Sequence, residues 1–290
     1  MDFTFNEEQK MVIDGARRFA REKLAPFAAE LDEKAEVNFK AIKELGKLGY
    51  LGMTVPEEYD GSNAGVVAYA ASMIEFSKAD AGAAVTVSVQ NSLVNDAVLA
   101  FGTEKQKKDY LPKLASGEWI GCFTLTEANS GSDPGSLRTS AIRDGDHFVI
   151  SGTKNFTTNG GIADVILVFA QTSKEKGAKG ISAFILTKDI PGFTVCKHEN
   201  KMCIRSSSTT EMVFDKCRVP ADSILGEENK GLKVALATLD GGRIGIAAQA
   251  VGIAEAALEE AVRYSKERVQ FGRPISELEG IQFMLADMAT

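Results

Sequence analysis

The sequence predicts an α+β protein built as three successive blocks: helices, then a β domain, then helices again. Apolar residues first recur at helical spacing, with two capping-box signatures, Asn6 with Gln9 and Thr103 with Gln106. The period then shortens into brief runs rich in Val, Ile, Phe and Thr, separated by Gly, Asp and Asn, and it lengthens again beyond GEENKG at 226–231. No helical pattern lies between successive strands, so an antiparallel sheet is expected rather than βαβ units. The blocks are expected to span 1–115, 116–226 and 227–290.

Taken in order, Asn6 can cap a first helix whose apolar face is Met11, Val12, Ala16, Phe19 and Ala20. A short helix fits Phe39–Leu48, PEEYDGSNAG interrupts the pattern, and helices over Val66–Lys78, Ala84–Phe101 and Glu104–Leu114 resume it. HFVISG, DVILVFAQ, ISAFILT, GFTVCK and TEMVFDKCRV read as strands of a small domain between about Trp119 and Ile224. One long helix covers Leu232–Glu267, FGRP breaks it, and a last helix carries Leu278, Ile281, Met284, Leu285 and Met288 on one face. That helix has no closing Gly or Asn, no cationic last turn and no following Pro, so it is expected to continue past Thr290.

Composition narrows the function. With 290 residues, 44% hydrophobic and 25% charged, the chain can bury substantial cores. A net charge of -7 with Lys and Arg scattered among acids gives no reason to expect nucleic acid or an anionic membrane. Cys122, Cys196, Cys203 and Cys217 are irregularly spaced and there are two histidines, so neither a disulfide framework nor a metal site is expected, and reduced buried thiols are. The polar start MDFTFNEEQK and the absence of a run of about 20 apolar residues suggest a cytoplasmic protein.

Three polar, glycine-containing stretches are denser in hydroxyls than a hairpin needs: FTLTEANSGSD (Phe123–Asp133), SGTKNFTTNGG (Ser151–Gly161) and KMCIRSSSTTEM (Lys201–Met212). Each alone is explained by turn and strand chemistry. Together they also suit a flat heteroaromatic ring or a phosphate approached by backbone N–H groups. There is no GxGxxG after a strand and no GxxxxGK[ST], so a nucleotide would bind by another route than a Rossmann turn or P-loop. Inside the long helix, LDGGRIG puts Asp240 and Arg243 on one face, either as a plain ion pair or toward a ligand. Two adjacent glycines in a helix interior, each costing about 1 kcal/mol relative to Ala, suggest that something lies close against the backbone there.

LTEANSGSD, SGTKNFTTNGG, the IRSSST run, LDGGRIGIAAQAVGIA, ERVQFGRPI and GIQFMLADMA occur in the order and spacing of the flavin-dependent acyl-CoA dehydrogenases, and the chain resembles that family along its whole length, most of all the short-chain, butyryl-CoA branch. The resemblance implies an N-terminal α-helical domain, a central antiparallel β-barrel or sandwich, and a C-terminal helical bundle that is incomplete here. It implies FAD and acyl-CoA between them, α-proton abstraction with β-hydride transfer to the flavin, electrons passed to an electron-transfer flavoprotein, and a homo-oligomer, tetramer or dimer. Carried over by position, Phe123, Leu125, Thr126, Phe156 and Thr158 would face the flavin, and Arg268 and Phe271 the FAD of a neighbouring subunit. Ser132, Asp240 and Arg243 would bind acyl-CoA.

In the family the proton-abstracting glutamate stands either immediately before the arginine matched by Arg243, where this chain has Gly242, or farther along the C-terminal domain; the resemblance therefore places it beyond Thr290 and no catalytic residue in this chain. Asp240 faces away from the Gly242 position and is not expected to be the base. Ala128 and Ser130 depart from the usual TEPNAGSD, and Cys203 and Ser206 replace glycines. Glu279 replaces a usual glutamine, putting a carboxylate near a pyrophosphate and FAD affinity in question. A mitochondrial mature form remains compatible with the family. Other readings are an enoyl-CoA reductase or acyl-CoA oxidase on the same fold, and a non-catalytic flavin or acyl-CoA binding fragment.

Overall fold

The computed structural model describes residues 4–290. Helix α1 (Glu7–Phe19) opens on the reciprocal cap, Asn6 Oδ1 accepting from the Gln9 N–H at 2.8 Å and Gln9 Oε1 from the Asn6 N–H at 3.0 Å. Its buried face is Ile13, Ala16 and Phe19, continued by Ala20, whereas Met11 is 71% exposed because two residues from Ile13 is about 200° around the helix. A π-helical segment, Ala20–Leu24, leads into α2 (Ala25–Lys34), followed by α3 (Phe39–Lys47) and α4 (Gly65–Ala79). Next come α5 (Ala81–Ser88), a second π segment over Val89–Asn95, α6 (Asp96–Phe101) and α7 (Glu104–Ala115). Helix α5 starts three residues before the expected Ala84 because Asp80 caps it, its Oδ1 accepting from the Gly82 and Ala83 N–H groups.

The strands are β1 (Gly121–Thr124), β2 (Ser140–Asp144), β3 (His147–Thr158), β4 (Val165–Gln171), β5 (Ile181–Thr187), β6 (Phe193–His198) and β7 (Thr209–Pro220). They form one sheet in the order β1-β4-β2-β3-β7-β6, with β5 also on β4. The antiparallel expectation holds for most pairs but not at β4, which runs parallel both to β1, Gly121 opposite Val165 through Thr124 opposite Val168, and to β2, Ser140 opposite Gln171. Strands β1 and β2 are too short and too polar at their ends to stand out in the sequence. What places β1 is a buried amide: Gln90 accepts from the Gly121 N–H at 2.8 Å and donates to the Leu114 and Trp119 carbonyls. The adjacent Asn91 and, one turn further, Asn95 similarly hold the Tyr50, Leu51 and Met53 backbone.

Strands β4 and β5 are buried on both faces. Leu167, Phe169 and Ile185 pack toward the helices, while Ile166, Val168 and Phe184 join Phe148, Ile150 and Phe214 inside the curl of the sheet. That explains why both read as unbroken apolar runs rather than as alternation. A separate core of Phe19, Leu45, Tyr50, Met73 and Phe76 fills the first four helices. The chain then enters α8 (Gly231–Glu267), about 55 Å long, a hairpin of β8 (Val269–Gln270) and β9 (Arg273–Pro274), and α9 (Glu279–Ala289), which packs along α8. Two of the four thiols correct the expectation: Cys122 and Cys217 are buried, but Cys196 lies on the outer face of β6 and Cys203 in the loop after it, both exposed.

Among the described residues no helix is long and apolar enough to cross a membrane, and no group of three or more His, Cys, Asp or Glu is placed to hold a metal.

Candidate active site

The glycines of α8 account for what lies against it. A Cβ on Gly242 would sit 2.9 Å from Leu93 Cδ2, one on Gly245 would sit 2.2 Å from the Tyr69 hydroxyl, and one on Gly252 would sit 2.4 Å from the Ile74 carbonyl oxygen. The close partner of the helix is therefore α4 and the π segment of this same chain. The approach is not sealed throughout. Between the π segment and α8 lies a chamber of about 350 Å³ lined by Ser88, Val89, Ser92, Leu93, Leu239, Gly242, Arg243 and Ile246. Its wall is mostly apolar, and no carboxylate lines it.

Along the preceding turns of α8 the surface opens into a trough of about 940 Å³. Leu236, Ala237 and Asp240 form one side, and Lys176, Lys179, Lys230 and Lys233 bring four ammonium groups to it against Glu228 and Asp240. Asp240 and Arg243 make the ion pair their spacing allows, at 2.5 Å and well exposed, so the pair is a surface feature contributing at most about 0.5 kcal/mol. Arg243 nonetheless lines the chamber and Asp240 the trough.

A second set of predicted residues gathers where β1 meets β3. Strand β1 pairs with β4 alone and so ends the sheet. Beyond its end, neither the Leu125 nor the Thr126 N–H donates to any acceptor among the described residues. In β3 the pairing with β7 slips between Lys154 and Thr157, and the extra residue, Phe156, takes a left-handed φ of 59° with its ring 61% exposed. A large aromatic in that conformation facing solvent is strained and unburied, as at sites built to receive a ligand. Phe123 is half-buried against Phe169, ring centroids 4.8 Å apart, and Thr158 is half-buried at the end of β3. Unused backbone donors, an exposed aromatic ring and half-exposed hydroxyls fit a flat ring with hydrogen-bonding edges such as a flavin. Ser132 lies exposed in the adjoining turn.

Beneath this strip sits a buried ion pair. Lys154 is fully buried and donates to Glu127 Oε1 at 2.8 Å and to the Leu125 carbonyl at 3.1 Å. Glu127 also accepts from the Arg138 and Thr139 N–H groups at 2.7 and 3.0 Å, so its carboxylate clamps the two ends of the 127–139 loop together. Burial pushes the Lys154 ammonium down to about 8, against the pull of Glu127. Burial pushes the Glu127 carboxyl up, but Lys154 and the hydrogen bonds to the charged form more than offset it and hold it below its usual 4.5. The sign follows: Glu127 contributes stability that is fully present above about pH 4.5 and is lost as pH falls through its lower folded value. Acid unfolding followed by circular dichroism should therefore steepen below pH 4.5, and Glu127→Gln should flatten that limb while lowering stability at neutral pH.

The remaining predicted residues lie apart. Arg268 and Phe271 are carried by the β8–β9 hairpin, 28 positions and hence about 40 Å along α8 from Asp240; Phe271, at the turn with φ 50°, is 90% exposed. Glu279 stands exposed in the first turn of α9, where a carboxylate suits the helix dipole. The IRSSST run, one of the three stretches considered for ligand contact, is partly engaged by the chain itself, although the buried Ser207 hydroxyl has no partner among the described residues. Ser206 donates to Asp80 at 3.0 Å, the Arg205 N–H and guanidinium donate to Asp32, and Ser208 accepts from the Gly161 N–H. It joins the helical block to the sheet. Sequence reasoning missed Leu93, Ser88 and Ser92 as chamber residues and the four trough lysines; only the helical glycines signalled that a surface opposed α8.

Models of the acyl-CoA dehydrogenase N-terminal, middle and C-terminal domains match residues 6–118, 122–217 and 229–290. An acyl-CoA dehydrogenase of Bacillus subtilis is 50% identical over 284 residues, covering 98% of this chain and 75% of that protein. The structure of butyryl-CoA dehydrogenase from Megasphaera elsdenii matches with a TM-score of 0.97 at 47% identity, over 100% of this chain and 76% of that one. A chain solved in work on the electron transferring flavoprotein of Acidaminococcus fermentans and flavin-based electron bifurcation matches with a TM-score of 0.98, also at 47% identity and over 100% and 76%. With three successive family domains matched along it and a relative identical at half its positions, the chain belongs to the acyl-CoA dehydrogenase family of flavoprotein oxidoreductases.

Proposed function

We propose that this protein desaturates short-chain acyl-CoA thioesters with FAD as oxidant and passes the electrons to an electron-transfer flavoprotein, as a homo-oligomer in the cytoplasm. The observation that carries the substrate is the small apolar chamber at Gly242, with the separate four-lysine trough on the preceding turns of α8. The chamber suits the hydrocarbon of an acyl chain, and the lysines suit the phosphates of a polyanionic carrier. The strip formed by Phe123, Leu125, Thr126, Phe156 and Thr158 holds the flavin, and Ser132 meets the carrier. FAD, when bound, supplies the hydride acceptor for the β-carbon. The chain's part is to orient: backbone donors and threonine hydroxyls fix the ring, α8 with Asp240 and Arg243 fixes the thioester, and the chamber excludes water. Since no chamber side chain is a carboxylate and Asp240 is paired and exposed, neither it nor Gly242 takes the α-proton. Arg268 and Phe271, about 40 Å away on an exposed hairpin, reach the FAD of a neighbouring subunit, which supports the oligomer. The matches to butyryl-CoA dehydrogenase and to the flavoprotein work support the chain length and the electron partner.

The test is spectroscopic: protein with FAD should show bound-flavin absorbance that shifts on adding butyryl-CoA without bleaching; bleaching by these 290 residues would overturn the exclusion of a base among them, and no flavin uptake would overturn the cofactor reading. Chain length gives a further expectation. Leu93 lines the chamber opposite Gly242, so Leu93→Ala should tighten binding of hexanoyl-CoA relative to butyryl-CoA roughly tenfold, read as the ratio of dissociation constants. An unchanged ratio would remove Leu93 as the limit.

A further inference from the structure

The peptide units after β1 are held in one orientation from behind. The Leu125 carbonyl points inward to the Lys154 ammonium at 3.1 Å, and the Thr126 carbonyl accepts from the Asn155 N–H at 2.9 Å. All peptides among the described residues are trans, and across a trans peptide the N–H points opposite to the C=O. Pulling the Leu125 carbonyl inward therefore turns the Thr126 N–H outward, where it finds no acceptor in the chain. An ammonium at 0% exposure is a costly way to hold a carbonyl, and it persists because Glu127 pairs with it at 2.8 Å and is itself fixed by two backbone donors. The slip in β3 lets this happen beside the ligand face: Lys154 and Thr157 both point inward, and Phe156, between them, points out.

We propose that Lys154 is a positioning residue for the flavin: seated between the Glu127 carboxylate and the Leu125 carbonyl, it sets the Leu125–Thr126 peptide so that the Thr126 N–H stands out, next to Asn155 and Phe156, as a fixed donor to the isoalloxazine edge. This rests on the flavin reading given above. A fixed donor at the ring favours the electron-rich reduced form, so its loss lowers the flavin's midpoint potential.

The pair is tested by Lys154→Met with Glu127→Gln, which removes both charges at similar volume and leaves no buried charge unpaired; Lys154→Met alone serves as the harsher comparison. Wild type and double variant are checked for matching far-UV circular dichroism, titrated with FAD, and the bound flavin's midpoint potential is measured with dyes. The double variant is expected to bind FAD at least tenfold more weakly and to favour reduced over oxidised flavin about tenfold less, a fall of about 30 mV for a two-electron couple. A folded double variant with wild-type potential would overturn the positioning role and leave the flavin reading standing. No FAD uptake by the wild-type chain would overturn the flavin reading and the role of Lys154 with it.

Discussion

Glu127→Ala should destabilise the protein by about 3–5 kcal/mol, read as a loss in the midpoint of urea unfolding at unchanged slope. The effect is large because three things go at once. Lys154, fully buried, keeps only the Leu125 carbonyl as partner. The Arg138 and Thr139 N–H groups lose their shared acceptor, and the cavity left by the carboxylate sits under the turn that carries Thr126 and Ser132. Replacing both partners together, as in Lys154→Met with Glu127→Gln, should cost much less, since a buried ion pair and a neutral pair of similar volume are close in free energy, whereas half an ion pair is not. Equal destabilisation by the single and double changes would show that the pair is not coupled as described.

Gly252→Ala should destabilise by about 1–3 kcal/mol, although alanine favours a helix over glycine by about 1 kcal/mol. The added methyl would meet the Ile74 carbonyl oxygen at 2.4 Å and Ser77 Cβ at 2.8 Å, and a backbone oxygen in α4 cannot move aside as a side chain can. Helix α8 would have to lift from α4, opening the packing that also seats Gly245 on Tyr69. Gly280→Ala in α9 is the internal control. Nothing lies within 4 Å of its Cβ, so only the propensity acts and a gain of about 0.5–1 kcal/mol is expected. If both substitutions stabilise, close helix contact is not what the α8 glycines provide.

Much of the fold is written locally. The caps at Asn6 and Thr103, the spans of α3, α4, α7 and α8, and five of the strands follow from patterns within one element. The misses share one cause. A stripe read from α1 alone has no partner to fix its angle, so Met11 reads as apolar face while in the structure Ile13 takes that place. The parallel union of β1 with β4 depends on strands some forty positions apart, and the start of β1 on an amide from the π segment.

The site divides in the same way. Glycine-rich, hydroxyl-rich stretches marked where a ligand could approach, and six motifs in order marked the family. They could not tell that Ser206 and Ser208 of IRSSST spend their hydroxyls on Asp80 and Gly161, or that Thr126 keeps a backbone donor free. Nor could they show Glu127 and Lys154, 27 positions apart, as one buried pair, because each reads as an ordinary surface charge until its partner is known. By itself the sequence determined the element types, the helix–sheet–helix order and the family, since periodicity, capping and turn chemistry act over a few residues. The tertiary structure alone decided which faces meet, which charges lose their water and which donors remain unpaired, because burial and pairing arise only when segments distant along the chain are brought into contact.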